Sequence, residues 1–301
     1  MIFSRIDELN RAIKGILKIE GDNVQVLDES NLRGSLIDHL VYSAVLSGED
    51  GVKQAARWII RRAGVTLGVL PSSIQSLYDA MGRGDVKGFT VPAINIRGFT
   101  YETAQAVFRA GLRGSVGPII FEIARSEIGY TEQRASEYAC AITAAAIKTG
   151  WRGPLFLQGD HFQIGAKKFA SGPQKEVDSV KDLAREAVEA GFYNIDIDSS
   201  TVVDLGRPTE EEQQQNNFII AADITAFIRR IQPSGVEISV GGEIGEVGSK
   251  NSTVRELRAF MGGYAKELEK GVRASRGLAR SAYRREPPTA GFPCLMEASL
   301  R

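Results

Sequence analysis

Short apolar runs alternate with stretches of helical periodicity from residue 87 onward. The apolar runs predict five strands, at residues 89–96, 118–124, 154–161, 193–198 and 236–243. The stretches between them place apolar side chains at helical spacing, and three of them end in a glycine that suits a left-handed cap (Gly111, Gly150 and Gly191). Two later helices are expected to open at Thr209 and Thr253, each followed by glutamate at capping-box spacing.

Strands that are apolar throughout, separated by amphipathic helices, indicate a parallel sheet covered by helices. Five such units follow one another without a nucleotide-binding glycine fingerprint, which favours a (β/α)8 TIM barrel over a doubly wound sheet. Because only five units are present, residues 86–270 predict an incomplete barrel of the α/β class. Residues 1–85 predict a helical N-terminal extension, with no strong strand before Lys87.

Composition narrows the class of protein. The 301 residues carry 37 basic and 37 acidic side chains, so net charge offers no case for a nucleic-acid or membrane partner. Two cysteines build neither a disulfide framework nor a zinc ribbon. Residues 1–18 have the pattern of neither a signal peptide nor a membrane span, so a cytoplasmic enzyme is expected.

Polar groups stand where the predicted strands end. Asn95 closes the first strand, Asp160 and His161 the third, Asp198 and Ser200 the fourth, and Glu243 the fifth. Any one of them could be an ordinary polar strand end or a helix cap. Together they predict a catalytic rim, since barrel enzymes build their sites at the carboxyl ends of strands. Carboxylates together with one imidazole are suitable ligands for a divalent metal, although zinc sites usually contain further nitrogen or sulfur ligands.

Four stretches resemble the class II, metal-dependent ketose-bisphosphate aldolases in order and spacing, over residues 86–270. They are Val91-Pro92-Ala93-Ile94-Asn95, Asp160-His161, Ile197-Asp198-Ser199-Ser200 and Gly242-Glu243-Ile244-Gly245. The resemblance implies reversible cleavage of a fructose or tagatose 1,6-bisphosphate to dihydroxyacetone phosphate and an aldehyde phosphate. In such a reaction, a bound zinc ion polarises the substrate carbonyl. It also implies a homo-oligomer when the chain is complete.

The same resemblance assigns expected roles to individual residues. Asp160 would be the proton-transfer acid/base and His161 a zinc ligand. Glu243 would lie at the metal as a ligand or just behind one, and Asp198 near a second metal position. Asn95 and Ser200 are candidates for substrate contacts. One departure stands out: the family usually has histidine where this chain has Gln158.

Two other functions stay open. The chain could be a non-catalytic, aldolase-like partner that stabilises another protein, or an unrelated metal-dependent barrel lyase. The second histidine, His39, lies before the barrel and is expected to be structural.

The C-terminal segment departs from the pattern. A zinc site of this aldolase type uses three histidines, yet no histidine follows His161. Residues 271–301 carry six arginines against two glutamates and show no clean strand. Read in a shifted frame with permitted codons, residues 279–298 yield a strand and a Gly-Thr-Ser-His-Gly-Gly stretch typical of the family. We therefore expect a frameshift between Lys270 and Ala279, an aberrant basic tail, a C-terminally truncated barrel, and an inactive 301-residue form.

Overall fold

A computed structural model describes residues 1–245 and 251–279. Its strands are β1 Leu17–Glu20, β2 Asn23–Val26, β3 Val69–Pro71, β4 Ala93–Asn95, β5 Ile120–Ala124, β6 Gly153–Gln163, β7 Asn194–Asp198 and β8 Ser239–Gly242. Its α-helices are α1 Ile6–Ile13, α2 Glu29–Asn31, α3 Ile37–Leu46, α4 Asp50–Thr66, α5 Gln75–Arg83, α6 Thr100–Gly114, α7 Arg125–Thr131, α8 Ala135–Thr149, α9 Ala166–Ser171, α10 Pro173–Ala190, α11 Glu210–Gln213, α12 Gln215–Ile231 and α13 Val254–Ala279. A π-helical turn (Leu32–Leu36) precedes α3, and a 3-10 turn (Ser200–Val202) follows β7.

The main sheet is parallel and runs in the order β4-β5-β6-β7-β8. Each strand pairs with the next one in sequence, which is the order of an unrolled barrel wall. Over the described residues β4 and β8 are the two ends of this path, and the sheet does not close. The α/β class and the incomplete TIM-barrel-like architecture are therefore confirmed.

The two faces of the sheet differ sharply. One face carries fully buried apolar side chains that pack under the helices, including Phe121, Leu157 and Ile197. The other face, at alternate positions, carries Ile120 and Phe156 near the strand starts. Further along the strands that face turns polar, because side chains two residues apart share a face. We call this second face the inner face.

The N-terminal region contains strands that the sequence did not predict. β1 and β2 form an antiparallel hairpin, and β3 pairs in parallel with the first residues of β6. The extension predicted to be helical therefore also contains three short strands. β3 is only three residues long and ends in proline, so it has no readable periodicity, and pairing with β6 is what makes it a strand. His39 lies on α3, with its ring edge-on to Phe3.

Several predicted boundaries also move. The first barrel strand spans only Ala93–Asn95, and the stretch between β5 and β6 forms two helices, α7 and α8, rather than one. Helix α6 continues through Gly111 to Gly114. The predicted capping boxes at Thr209 and Thr253 are confirmed by reciprocal hydrogen bonds with Glu212 and Glu256.

Helix α13 continues to Ala279, so the first part of the segment expected to be an aberrant tail is helical. The rest of that predicted tail, residues 280–301, lies outside the described residues, and the frameshift stays a prediction. Within the described ranges, no helix combines the length and apolar character that a bilayer crossing needs.

Candidate active site

Four of the residues expected at the rim form one chain of contacts at the carboxyl ends of the strands. The Asn95 amide donates to Asp160 Oδ2 at 2.9 Å. Asp160 Oδ1 lies 2.5 Å from His161 Nδ1. The other ring nitrogen, His161 Nε2, lies 3.7 Å from Glu243 Oε1. Residues from β4, β6 and the end of β8 therefore meet as their sequence positions predict.

A β-bulge places the histidine. The pairing of β6 with β7 shifts register between Gly159 and Phe162, and His161 has a φ of 42°. A bulge of this kind turns a side chain away from the alternation of its strand, and a positive φ is uncommon for a residue with a Cβ. Gly159 accommodates the irregularity, since a Cβ there would lie 2.4 Å from the Phe162 ring.

Asp196 joins Asp160 and His161, although the sequence analysis assigned it no role. One potential ligand atom from each of the three lies within 4.8 Å of the others. Asp196 pairs in register with Gly241, where a Cβ would approach Asp196 Oδ1 to 2.5 Å. The signal that could have identified Asp196 is its spacing of two from Asp198 on one strand.

Asp198 and Ser200 bind each other rather than reach the centre of the rim. The Ser200 hydroxyl donates to Asp198 Oδ1 at 2.7 Å, and the Gln163 amide donates to Asp198 Oδ2 at 2.5 Å. Both Asp198 and Ser200 are buried. Their predicted roles at a second metal position and at the substrate stay predictions.

Glu127, at the start of α7, links three groups of the rim. It accepts hydrogen bonds from the backbone N–H of Ala124, from the Asn95 amide and from the Arg97 guanidinium. Burial acts to raise the pKa of Glu127, but these donors and the charge of Arg97 outweigh it and lower the pKa. No sequence motif had marked Glu127.

Glu122 lies on the inner face of β5 and accepts a hydrogen bond from Gln158 at 2.8 Å. Burial, followed by the charges of Asp160 and Asp196, raises the pKa of Glu122 to about 7. Gln158, which stands where the family usually has histidine, therefore supports a buried carboxyl group in this chain.

The electrostatics of the rim favour a bound cation. Burial, then the charge of Glu243, raises the pKa of Asp196 to about 6. Burial acts to lower the pKa of His161, but the hydrogen bond and charge of Asp160 outweigh it and raise the pKa. These shifts arise from burial and from several carboxylates placed around one imidazole.

The donor set fits a divalent metal. His161 offers Nε2 while its Nδ1 is held by a carboxylate, an arrangement found behind many metal-bound histidines. Asp196 and Glu243 add carboxylate oxygens beside it. One nitrogen among several oxygens is a poorer match to zinc than a histidine-rich set, and it also suits harder divalent ions.

Two comparisons with known proteins do not identify a family. A solved structure described as a probable tagatose 6 phosphate kinase from Sinorhizobium meliloti 1021 shares 17% identity and aligns with a TM-score of 0.43. That alignment covers 62% of this chain and 47% of the other, so the chain matches less than half the length of that protein. A search of curated protein sequences returns no significant match.

A sequence model of the family described as fructose-bisphosphate aldolase class-II matches residues 75–274. The match covers well over half of the chain and includes all four stretches that carried the resemblance. It begins before residue 86 and so also takes in helix α5. The chain belongs to the class II fructose-bisphosphate aldolase family.

Proposed function

We propose that the rim is the metal-binding and proton-transfer centre of an aldolase that cleaves a ketose 1,6-bisphosphate, fructose or tagatose, to dihydroxyacetone phosphate and an aldehyde phosphate. The observation that carries this proposal is the convergence of Asp160, His161 and Asp196 at the carboxyl end of the sheet. It rests on family membership for the reaction type and on the geometry for the residues.

In this proposal His161, Asp196 and Glu243 hold a divalent cation, for which the family implies zinc. When bound, such a cation polarises the substrate carbonyl and so supplies the electrophile of the cleavage. Asp160 orients His161 through Nδ1, which leaves Nε2 available for the cation.

Asp160 is also the proposed acid/base. Among the described residues, His161 is the partner of Oδ1 and Asn95 the partner of Oδ2, so each oxygen keeps lone-pair capacity for a further proton. The Asp160 side chain is 15% exposed, which restricts water while leaving access to a ligand. Asp160 would take the proton of the substrate hydroxyl as the carbon–carbon bond breaks.

The single histidine sets the expected limit on activity. A site with one imidazole binds zinc less tightly than one with three, because each ligand contributes to the affinity. We therefore expect the 301-residue chain to bind metal and dihydroxyacetone phosphate but to show no measurable cleavage.

The test combines calorimetry and an assay. Purified protein is titrated with Zn²⁺ or Co²⁺ and then with dihydroxyacetone phosphate, and cleavage of both ketose bisphosphates is measured. Metal-dependent binding should be lost in His161→Ala and kept in His39→Ala, which removes the chain's other histidine.

Each result has a consequence. Failure of the metal-loaded protein to bind dihydroxyacetone phosphate would contradict the proposed function. Measurable cleavage that Asp160→Ala abolishes would confirm the chemistry and overturn the expected inactivity. A second candidate, a non-catalytic stabilising subunit, draws support from the single histidine, and it would be favoured by a stable co-purifying partner without ligand binding.

A further inference from the structure

Arg97 follows β4 at the edge of the rim and pairs with a buried carboxylate. Its Nε donates to Glu127, whose side chain is only 6% exposed. The Arg97 side chain itself is 62% exposed, and neither of its terminal nitrogens hydrogen-bonds to another described residue. A buried carboxylate therefore holds the Nε of a guanidinium group whose side chain is mostly exposed.

The same carboxylate connects Arg97 to the centre of the rim. Glu127 also holds Asn95, and Asn95 donates to Asp160. In the described part of the chain, Arg97 is the one guanidinium that hydrogen-bonds to a member of the network formed by Asn95, Glu127, Asp160 and His161.

The rim is otherwise acidic. Asp160, Asp196 and Glu243 lie around one imidazole, and Glu122 and Asp198 lie behind them. A phosphorylated ligand entering this site needs a cationic partner. A guanidinium with two free terminal nitrogens binds phosphate oxygens in a planar, bidentate manner.

We propose that Arg97 is a specificity-determining residue that binds a phosphate group of the ligand, and that Glu127 is the positioning residue that aims its free edge. This inference rests on the proposed function for the identity of the ligand as a sugar phosphate. Its phosphate chemistry can be tested separately from metal binding and cleavage.

The first probe is inorganic phosphate, titrated into metal-free protein and followed by calorimetry or ³¹P NMR. Arg97→Ala should weaken phosphate binding by at least about tenfold. Arg97→Lys should weaken it less, because lysine keeps the positive charge but lacks the planar pair of N–H donors that binds two phosphate oxygens. Arg83→Ala is the matched control, since Arg83 also pairs through Nε with a carboxylate and is 63% exposed. Equal phosphate affinity in Arg97→Ala and wild type, or no phosphate binding by wild type, would overturn the inference.

The Glu127→Gln variant tests whether Glu127 positions Arg97, because a positioning role and simple charge repulsion predict opposite changes in phosphate affinity. If Glu127 only repelled anions, neutralising it would strengthen phosphate binding. If it orients Arg97, phosphate binding should weaken by a few-fold while Asp85→Asn, which removes the carboxylate beside Arg83, leaves it unchanged. Stronger phosphate binding by Glu127→Gln would overturn the positioning role.

The second probe, dihydroxyacetone phosphate on metal-loaded protein, separates the two proposals. If phosphate binding depends on Arg97 but dihydroxyacetone phosphate does not bind, the proposed function fails and the phosphate site stands. If dihydroxyacetone phosphate binds to the wild type, and Arg97→Ala loses affinity neither for it nor for the ketose bisphosphates, the role of Arg97 fails and the proposed function stands.

Discussion

The two faces of the main sheet use the same strands for opposite purposes. On the outer face, Phe121 and Leu157 are almost fully buried against helices. On the inner face, their neighbours Glu122 and Gln158 form a hydrogen-bonded pair, and Asp160 and Asp196 converge beyond them. The outer face stabilises the fold by burying apolar area, while the inner face holds carboxylates whose burial costs free energy.

This contrast means that stability and function can be changed separately. Single substitutions one residue apart on β5 or β7 should affect different measurements. The sharpest tests therefore compare neighbours on one strand.

The largest effect is expected on the outer face. Phe121→Ala should lower the free energy of unfolding by about 3–5 kcal/mol, since it leaves a cavity among buried side chains. Denaturant unfolding measures it, with the inner-face neighbour Glu122→Gln as the matched control, expected to change stability by less than about 1 kcal/mol. Equal losses from the two variants would mean that the faces do not differ as described.

The next effect concerns metal affinity. Asp196→Asn should weaken binding of Co²⁺ or Zn²⁺ by about 10–100-fold, because it removes a carboxylate from the group of three potential ligands. Its unfolding free energy without metal should stay the same or rise, since the substitution relieves a buried charge. Metal titration followed by calorimetry gives the affinity, and an unchanged value would remove Asp196 from the site.

Two buried carboxyl groups of the inner face, Glu122 and Asp196, should determine how the stability of the protein depends on pH. Folding raises the pKa of Glu122 to about 7 and that of Asp196 to about 6, above their unfolded values near 4. A raised pKa contributes stability that is full below the unfolded value and is lost as pH rises through the folded value.

The metal-free protein should therefore lose stability between about pH 4 and pH 7, by on the order of 1 kcal/mol for Glu122. The raised pKa of His161 acts in the same direction. Unfolding curves in the presence of a chelator measure this slope, and Glu122→Gln should flatten it. A slope that is equal in the two proteins would show that Glu122 is not the group responsible.

The smallest effect tests how β8 supports the rim. Gly241→Ala would place a Cβ 2.5 Å from Asp196 Oδ1, so the carboxylate must shift. Metal affinity should fall by a few-fold, with a change in unfolding free energy of about 1 kcal/mol or less. Gly262→Ala is the control because nothing lies within 4 Å of its Cβ position. Unchanged metal affinity in Gly241→Ala would show that Asp196 adapts freely.

The sequence predicted the parts of the fold that have strong periodicity or caps. Helix α10, the capping box at Thr209 and the five strands of the barrel wall follow from apolar spacing, glycine stops and reciprocal side-chain bonds. Strand β3 could not be predicted, because three residues hold no period and their conformation depends on pairing with β6. Pairing with β6 is a tertiary contact, which the local sequence of β3 does not encode.

The positions of the motifs predicted which side chains of the candidate site lie close together. Asn95, Asp160, His161 and Glu243 meet because parallel strands bring their carboxyl ends to one edge. The sequence offered no basis for assigning roles to Glu127 and Arg97, because those roles depend on a hydrogen-bonded network between the end of β4 and α7. The bulge that turns His161 toward Asp160 and Glu243 has no marker in the sequence beyond Gly159.

The position of a bound metal is the most direct test. Crystals of the protein soaked in Zn²⁺ or Co²⁺ would be measured by anomalous diffraction at the metal absorption edge. The expected result is one peak bounded by His161, Asp196 and Glu243, absent in His161→Ala crystals. A peak elsewhere, or none at the rim under saturating metal, would contradict the assignment of this rim as an aldolase metal centre.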